Sequence, residues 1–178
     1  GGLLTTGVGT PRPLGTIPLS DPATPGAAVD SLLHSFPGFD RLNADDWHEF
    51  AKITRRIDAP RGTLIADAGA SPCHLVIVAR GAVRVGVRHP AGGIEQTLMH
   101  GPGSFSGVAA LLDGGLTGFV RDVREDAVLL LVDLAGFTHL RSGATPLGRR
   151  LFTAIGQQMV RDLRRLSRLL GRLREGVA

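Results

Sequence analysis

The chain has 178 residues, 43% of them hydrophobic, with 20 Lys+Arg against 16 Asp+Glu. That length suits one domain with an appendage, or two small domains, and the apolar content is enough for a core. No apolar run reaches the roughly 18–20 residues of a membrane span, one Cys excludes a disulfide framework or cysteine-rich zinc module, and with seven Phe, one Trp and no Tyr few aromatics can be spared for stacking bases.

The chain does not begin like a signal peptide, which predicts a cytoplasmic protein. Nineteen of the basic residues are Arg and one, Lys52, is Lys. Eight of the arginines fall between Arg149 and Arg174, opposed there only by Asp162, so the basicity belongs mainly to the C-terminal tail.

Residues 1–29 hold five prolines (Pro11, Pro13, Pro18, Pro22, Pro25) and no helical or strand period, and read as a linker or tail. Order begins with Asp30–Phe36, a short helix stopped by Pro37. Asn43 then caps a better helix with Asp46 three residues on. Trp47, Phe50, Ala51 and Thr54 form one face of it, and its end falls near Arg56.

The period then changes to that of strands. Ala59-Pro60-Arg61-Gly62 is a turn, Thr63–Ala66 a short strand and His74–Ala79 a continuous apolar one. Gly81 breaks that strand, after which Val83, Val85 and Val87 alternate with Arg84, Gly86 and Arg88. His89–Gly93 is a hairpin loop, Ile94–His100 returns, and Gly101-Pro102-Gly103 turns again. Phe119–Arg124 and Ala127–Val132 are expected as the last two strands. Many short strands between Gly/Pro turns predict a sandwich or barrel.

The tail returns to helix. Asp133 caps a short turn carrying Leu134, Phe137 and Leu140, and Thr145-Pro146 starts a long helix with Thr as cap and Pro in the first turn. Phe152, Met159, Leu163, Leu166, Leu170 and Leu173 then recur at spacings of three and four once the Gly156 position is counted, with Ile155 and Leu169 widening the stripe. This is a heptad seam, expected to pack on the chain's own barrel or on a second copy. Its arginines read as the solvated face of a dimer coiled coil, ahead of non-specific contact with nucleic acid or an anionic membrane surface.

Taken in order, these elements resemble the cyclic nucleotide-binding domain, as in the catabolite activator and related regulators. Phe36-Pro37-Gly38-Phe39 before a capped helix is similar to that family's opening, and Pro60-Arg61-Gly62-Thr63-Leu64-Ile65 to its Pro-x-Gly turn into a strand. Ala68-Gly69-Ala70 stands where the family has an acidic–Gly–acidic turn. Residues 76–85 resemble its strand–Gly–strand core, and Gly101-Pro102-Gly103-Ser104-Phe105 the turn before its phosphate-binding cassette. The resemblance covers roughly residues 30–174. It implies an α+β fold: a double-stranded β-helix or jelly roll (a β-roll) over residues 30–143, flanked by helices, with a long dimerisation helix over residues 144–178.

It also implies a ligand site at Phe105, Ser106, Gly107, Val108, Ala109, Thr117 and Arg121, from which the family's reading of the ligand departs. The family pattern is Phe-Gly-Glu, the Glu for the ribose hydroxyl, with an Arg nine or ten residues later for the phosphate. Here the Gly position falls on Ser106, the Glu position on Gly107 and the Arg position on Leu116 or Thr117. Arg121 is four residues past Thr117, about 13 Å further along a regular strand. A shifted loop would bring it back to the site as a substitute cation, but the preferred reading of it, with Asp122, Arg124 and Glu125, is a solvated strand edge. A buried cyclic phosphate without a paired cation is costly, so ordinary cyclic AMP or GMP binding is disfavoured and no cofactor is expected.

Other chemistry is weaker. His34, His48, His74, His89, His100 and His139 have no metal-ligand spacing. Cys73 and His74 adjoin on an extended segment and point to opposite faces. Ser104 and Ser106 near Gly103 and Gly107 form no proper nucleophile turn, and Asp45-Asp46 suit a helix start.

The reading is therefore a non-catalytic sensor or interaction module pairing through its C-terminal helix. In the family, ligand binding repositions that helix and biases an attached output. A working sensor for a cyclic nucleotide or other small ligand and a basic nucleic-acid-associated protein are the alternatives. No helix-turn-helix follows the long helix, so sequence-specific DNA reading by this segment is not expected.

Overall fold

The computed structural model describes residues 13–14, 31–70, 74–114 and 117–176. Of the expected linker only Pro13 and Leu14 are described. Pro13 bridges Leu64, and Leu14 packs against the sheet. Cys73 and Leu116 lie outside the described residues.

Residues 31–33 form one helical turn, shorter than expected. The next helix, α1, spans Ala44–Ile53. Asn43 Oδ1 accepts the Asp46 N–H at 2.9 Å and Asp46 Oδ2 accepts the Asn43 N–H at 3.1 Å, the expected reciprocal cap. The helix stops at Ile53 rather than Arg56 because Thr54 already pairs with Val132 in the sheet.

The strands are β1 (Thr54–Ala59), β2 (Leu64–Ala66), β3 (His74–Arg88), β4 (Ile94–His100), β5 (Phe105–Ser106) and β6 (Val120–Asp133). They form one antiparallel sheet in the order β1-β6-β3-β4, with β2 added to β6 and β5 to β3. This is the expected jelly-roll architecture, with two corrections. Residues 74–88 form one strand where a break at Gly81 was expected, and residues 120–133 form one strand where two were expected. Irregular register around Val78–Val83 absorbs the bend, so pairing continues through it. Gly81 sits there at φ +84°, and a Cβ on it would lie 2.7 Å from Ala127 Cα.

The alternation along β3 and β6 divides the core in two. Leu75, Ile77, Leu130 and Val132 face a cluster with Phe39, Phe50, Phe137, Leu147 and Leu151 from the helical layer. Val76, Val78, Leu129 and Leu131 face the opposite way, onto Ile57, Val83 and Val123. Both faces of these segments are therefore buried, which is why they read as unbroken apolar runs.

Two helices close the chain. α3 (Leu134–Arg141) begins at Asp133, whose carboxylate accepts the Gly136 N–H. α4 (Pro146–Glu175) begins at Thr145, whose hydroxyl accepts the Gly148 N–H. Asp46 Oδ2 accepts a 2.6 Å bond from Arg150 Nη1, tying α1 to α4. The buried residues of α4 end at Gln158. Beyond it Leu163, Leu170 and Leu173 are 64%, 60% and 55% exposed. No described helix is long and apolar enough to cross a membrane.

Candidate functional site

A cavity of about 460 Å³ lies between the sheet, the segment after β4 and the middle of α4. The seven residues expected at the ligand site all line it: Phe105, Ser106, Gly107, Val108, Ala109, Thr117 and Arg121. Val85 and Leu98 contribute from β3 and β4, and Ile155, Gln158, Met159, Asp162, Leu163 and Leu166 from α4.

Two assignments made from sequence are corrected. Gly107 has φ +93° and immediately precedes α2 (Val108–Asp113). The glycine that opens this helix is therefore Gly107 rather than the Ser106 position, since an L side chain is strained there. The residue after it is Val108, buried in the cavity wall.

Arg121 is the second correction. It is 5% exposed, and its guanidinium lies against Gly107, so a Cβ added there would fall on Nη1. The solvated-edge reading assumed a regular strand from Thr117 to Arg121. Instead Thr117 is anchored to the β2–β3 loop through bonds between its backbone and Gly69 and Ala70, and its hydroxyl turns back on Phe119. β6 starts only at Val120, and Arg121 pairs opposite Val85. The site thus contains a cation, at a different place in the chain from the family's Arg.

Asp122 also leaves the expected solvated edge. It is 8% exposed and bonded to Arg84 through Nε at 2.8 Å and Nη2 at 2.7 Å. Glu125 is exposed, as read from sequence, whereas Arg124 is half-buried.

The α4 wall carries residues that sequence reasoning missed. Gln158 Oε1 accepts the Phe105 N–H at 2.7 Å, and Gln158 Nε2 donates to Phe105 O at 2.6 Å. One side-chain amide thereby holds both backbone groups of the residue that opens the site. Gln158 Nε2 also lies 3.3 Å from Asp162 Oδ2, which is 3.1 Å from His100 Nε2. The signal was present: Leu151, Ile155, Gln158 and Asp162 recur at helical spacing, so two polar residues continue a buried stripe.

Burial raises the Asp162 pKa, but the bond and charge of His100, the Gln158 amide and the Arg165 charge outweigh it, leaving the carboxyl below its ordinary value of 3.8. A carboxyl lowered by folding stabilises the fold above its unfolded pKa, and that contribution is lost as pH falls through the folded value. The melting-temperature advantage over Asp162→Asn is accordingly expected to be full at neutral pH. It should shrink as pH falls from about 5 to about 3. Thermal melts of the two proteins across that range check it.

His139 pairs with Glu49 at 2.9 Å, remote from the cavity. Among the described residues no group of three His, Cys, Asp or Glu side chains could hold a metal ion.

No family model and no curated protein matches the chain. Solved structures do. The catabolite activator protein of Thermus thermophilus is 26% identical, with 77% of this chain and 62% of that one covered at a TM-score of 0.61. The c-di-GMP responsive global regulator CLP of Xanthomonas campestris is 21% identical, with 74% and 64% covered at 0.65. A cyclic nucleotide-binding domain from Methylobacillus flagellatus is 16% identical, with 81% and 82% covered at 0.66. The chain therefore has the fold of the cyclic nucleotide-binding domain, as its motifs implied. It spans a little under two thirds of the length of the first two.

Proposed function

We propose that this chain is a non-catalytic sensor domain that reads a small ligand in the cavity and pairs with a second copy through α4. The observation that carries the reading is that one helix both walls the cavity and carries an exposed apolar stripe. Gln158, Met159, Asp162, Leu163 and Leu166 wall the cavity, and the same apolar stripe continues as the exposed Leu170 and Leu173. A ligand pressing on that wall has a direct mechanical route to a seam between two copies.

Several observations favour this over a nucleic-acid role. A solvent-facing stripe of leucines is costly unless covered, and heptad spacing suits a parallel partner helix. Electrostatic contact with a polyanion would use the arginines and leave the leucines in water. Cyclic AMP or GMP bound in the family's usual way remains disfavoured on the missing carboxylate alone, because the residue after the helix-opening Gly107 is Val108, which offers no acceptor.

Leu170→Asp with Leu173→Asp tests the pairing without touching the cavity lining. The expected result by multi-angle light scattering is a dimer mass for the chain and a monomer mass for the double variant, with unchanged helical circular dichroism. A monomer mass for both proteins overturns the pairing.

A further inference from the structure

We propose, resting on the sensor reading, that the ligand is a small carboxylic acid with an apolar body rather than a nucleotide. The cavity's composition carries this. Arg121 is a permanent cation, since a guanidinium does not lose its proton in proteins, and it lines the cavity while 5% exposed. Ser106 lines the same cavity at 1% exposure, and among the described residues its Oγ has no hydrogen-bond partner. A buried hydroxyl in that condition is rare in native proteins and marks a place where a further group binds.

The rest of the lining selects for the body of the molecule. Leu98, Val108, Phe119, Ile155, Met159 and Leu163 contribute apolar wall. Two carboxylates also line the cavity. Asp162 is held by His100 and Gln158, and Asp113 is exposed. A nucleotide would bring sugar hydroxyls and base edges into a lining that is mostly hydrocarbon, leaving polar groups without partners. An alkyl or aryl carboxylate places one oxyanion on the Arg121 guanidinium, with Ser106 able to donate, and the remainder against the apolar wall. Arginine–carboxylate pairs are among the strongest hydrogen-bonded pairs because both members are charged. The volume, about 460 Å³, is within the small-molecule range of about 300–1,000 Å³.

The test is calorimetric titration of the whole chain with decanoate, decanol and cyclic AMP. It is repeated on Arg121→Gln and on Ala109→Glu, which adds a negative charge at an exposed position of the cavity lining. The expected result is saturable one-to-one binding of decanoate, about tenfold or more weaker for decanol and for either variant, with no binding of cyclic AMP. Should Arg121→Gln fail to fold by circular dichroism, Ala109→Glu and the decanol comparison still decide. Equal affinity for acid and alcohol overturns the proposal, as does undiminished binding to Ala109→Glu or no binding of decanoate. Cyclic AMP binding in preference to decanoate also overturns it while leaving the sensor reading standing. The pairing through α4 is settled separately by the mass measurement.

Discussion

Asp122→Ala is expected to lower the unfolding free energy by about 3–5 kcal/mol, one of the two largest effects in this protein. Arg84 and Asp122 face each other across β3 and β6, with side chains 16% and 11% exposed and two hydrogen bonds between them. Removing the carboxylate leaves a guanidinium in a site that water barely reaches. Arg124, 3.9 Å from the same carboxylate, is itself a cation, so its loss of that partner adds to the unpaired positive charge. The loss should come from the orphaned charge rather than from the missing attraction. Arg84→Met combined with Asp122→Leu is therefore expected to recover most of it, because a buried ion pair and its apolar substitute are often nearly equal in stability. Urea denaturation of the three proteins checks both statements. A loss below about 1 kcal/mol in the single variant would mean that water reaches the pair after all.

Gln158→Leu is expected to cost about 2–4 kcal/mol and to release the ligand site from α4. Leucine matches the bulk of glutamine but offers nothing to Phe105, a residue that is 2% exposed, so a backbone N–H and a backbone C=O are left buried without their partner. Gln158→Glu should not rescue the site. Its carboxylate accepts the Phe105 N–H but sets a negative charge against Phe105 O and against Asp162, which the amide now approaches at 3.3 Å. Hydrogen exchange provides the local readout, with the Phe105 amide expected to exchange near the rate of global unfolding in the parent chain and much faster in Gln158→Leu. If the variant melts like the parent and Phe105 stays protected, the clasp is not what joins the cavity to α4.

These expectations matter because the site belongs half to the sheet and half to the helix. Arg121, Ser106 and Val108 present chemistry from the roll, whereas Gln158 and Asp162 hold the α4 wall against it. A ligand that changed the Gln158–Phe105 distance would alter how α4 sits and, on the proposed reading, how two copies meet.

Local and periodic features were legible in the residues alone. The Asn43–Asp46 box, the Asp133 and Thr145 caps and the Leu stripe of α4 depend on side chains a few positions apart, and a sequence displays such pairs directly. The order of Gly and Pro turns between apolar runs was enough to reach the fold, and the motifs around Phe105 marked the right segment for the cavity. Two kinds of feature were not legible. Long strands were divided, because Gly81 and the polar residues 124–126 look like breaks when the bulged pairing that carries β3 and β6 past them is not visible. The second kind was the electrostatics of the site. The position of Arg121 depends on where the loop after α2 ends and β6 begins, and a shift of a few residues there decides between solvent and a cavity.

By itself the sequence determined the order of most helices and apolar strand segments and that the chain is a β-roll with a long C-terminal helix, and it offered no acidic side chain at the helix start after Phe105. Only the tertiary structure decided that a cation is present after all, that Asp122 is buried with Arg84, and that Gln158 joins α4 to Phe105. The physical reason is the range of the interactions. Caps and periodic stripes are written within a few residues of one another, whereas Gly107 with Arg121, Arg84 with Asp122 and Phe105 with Gln158 meet only after the sheet has rolled and α4 has packed across it.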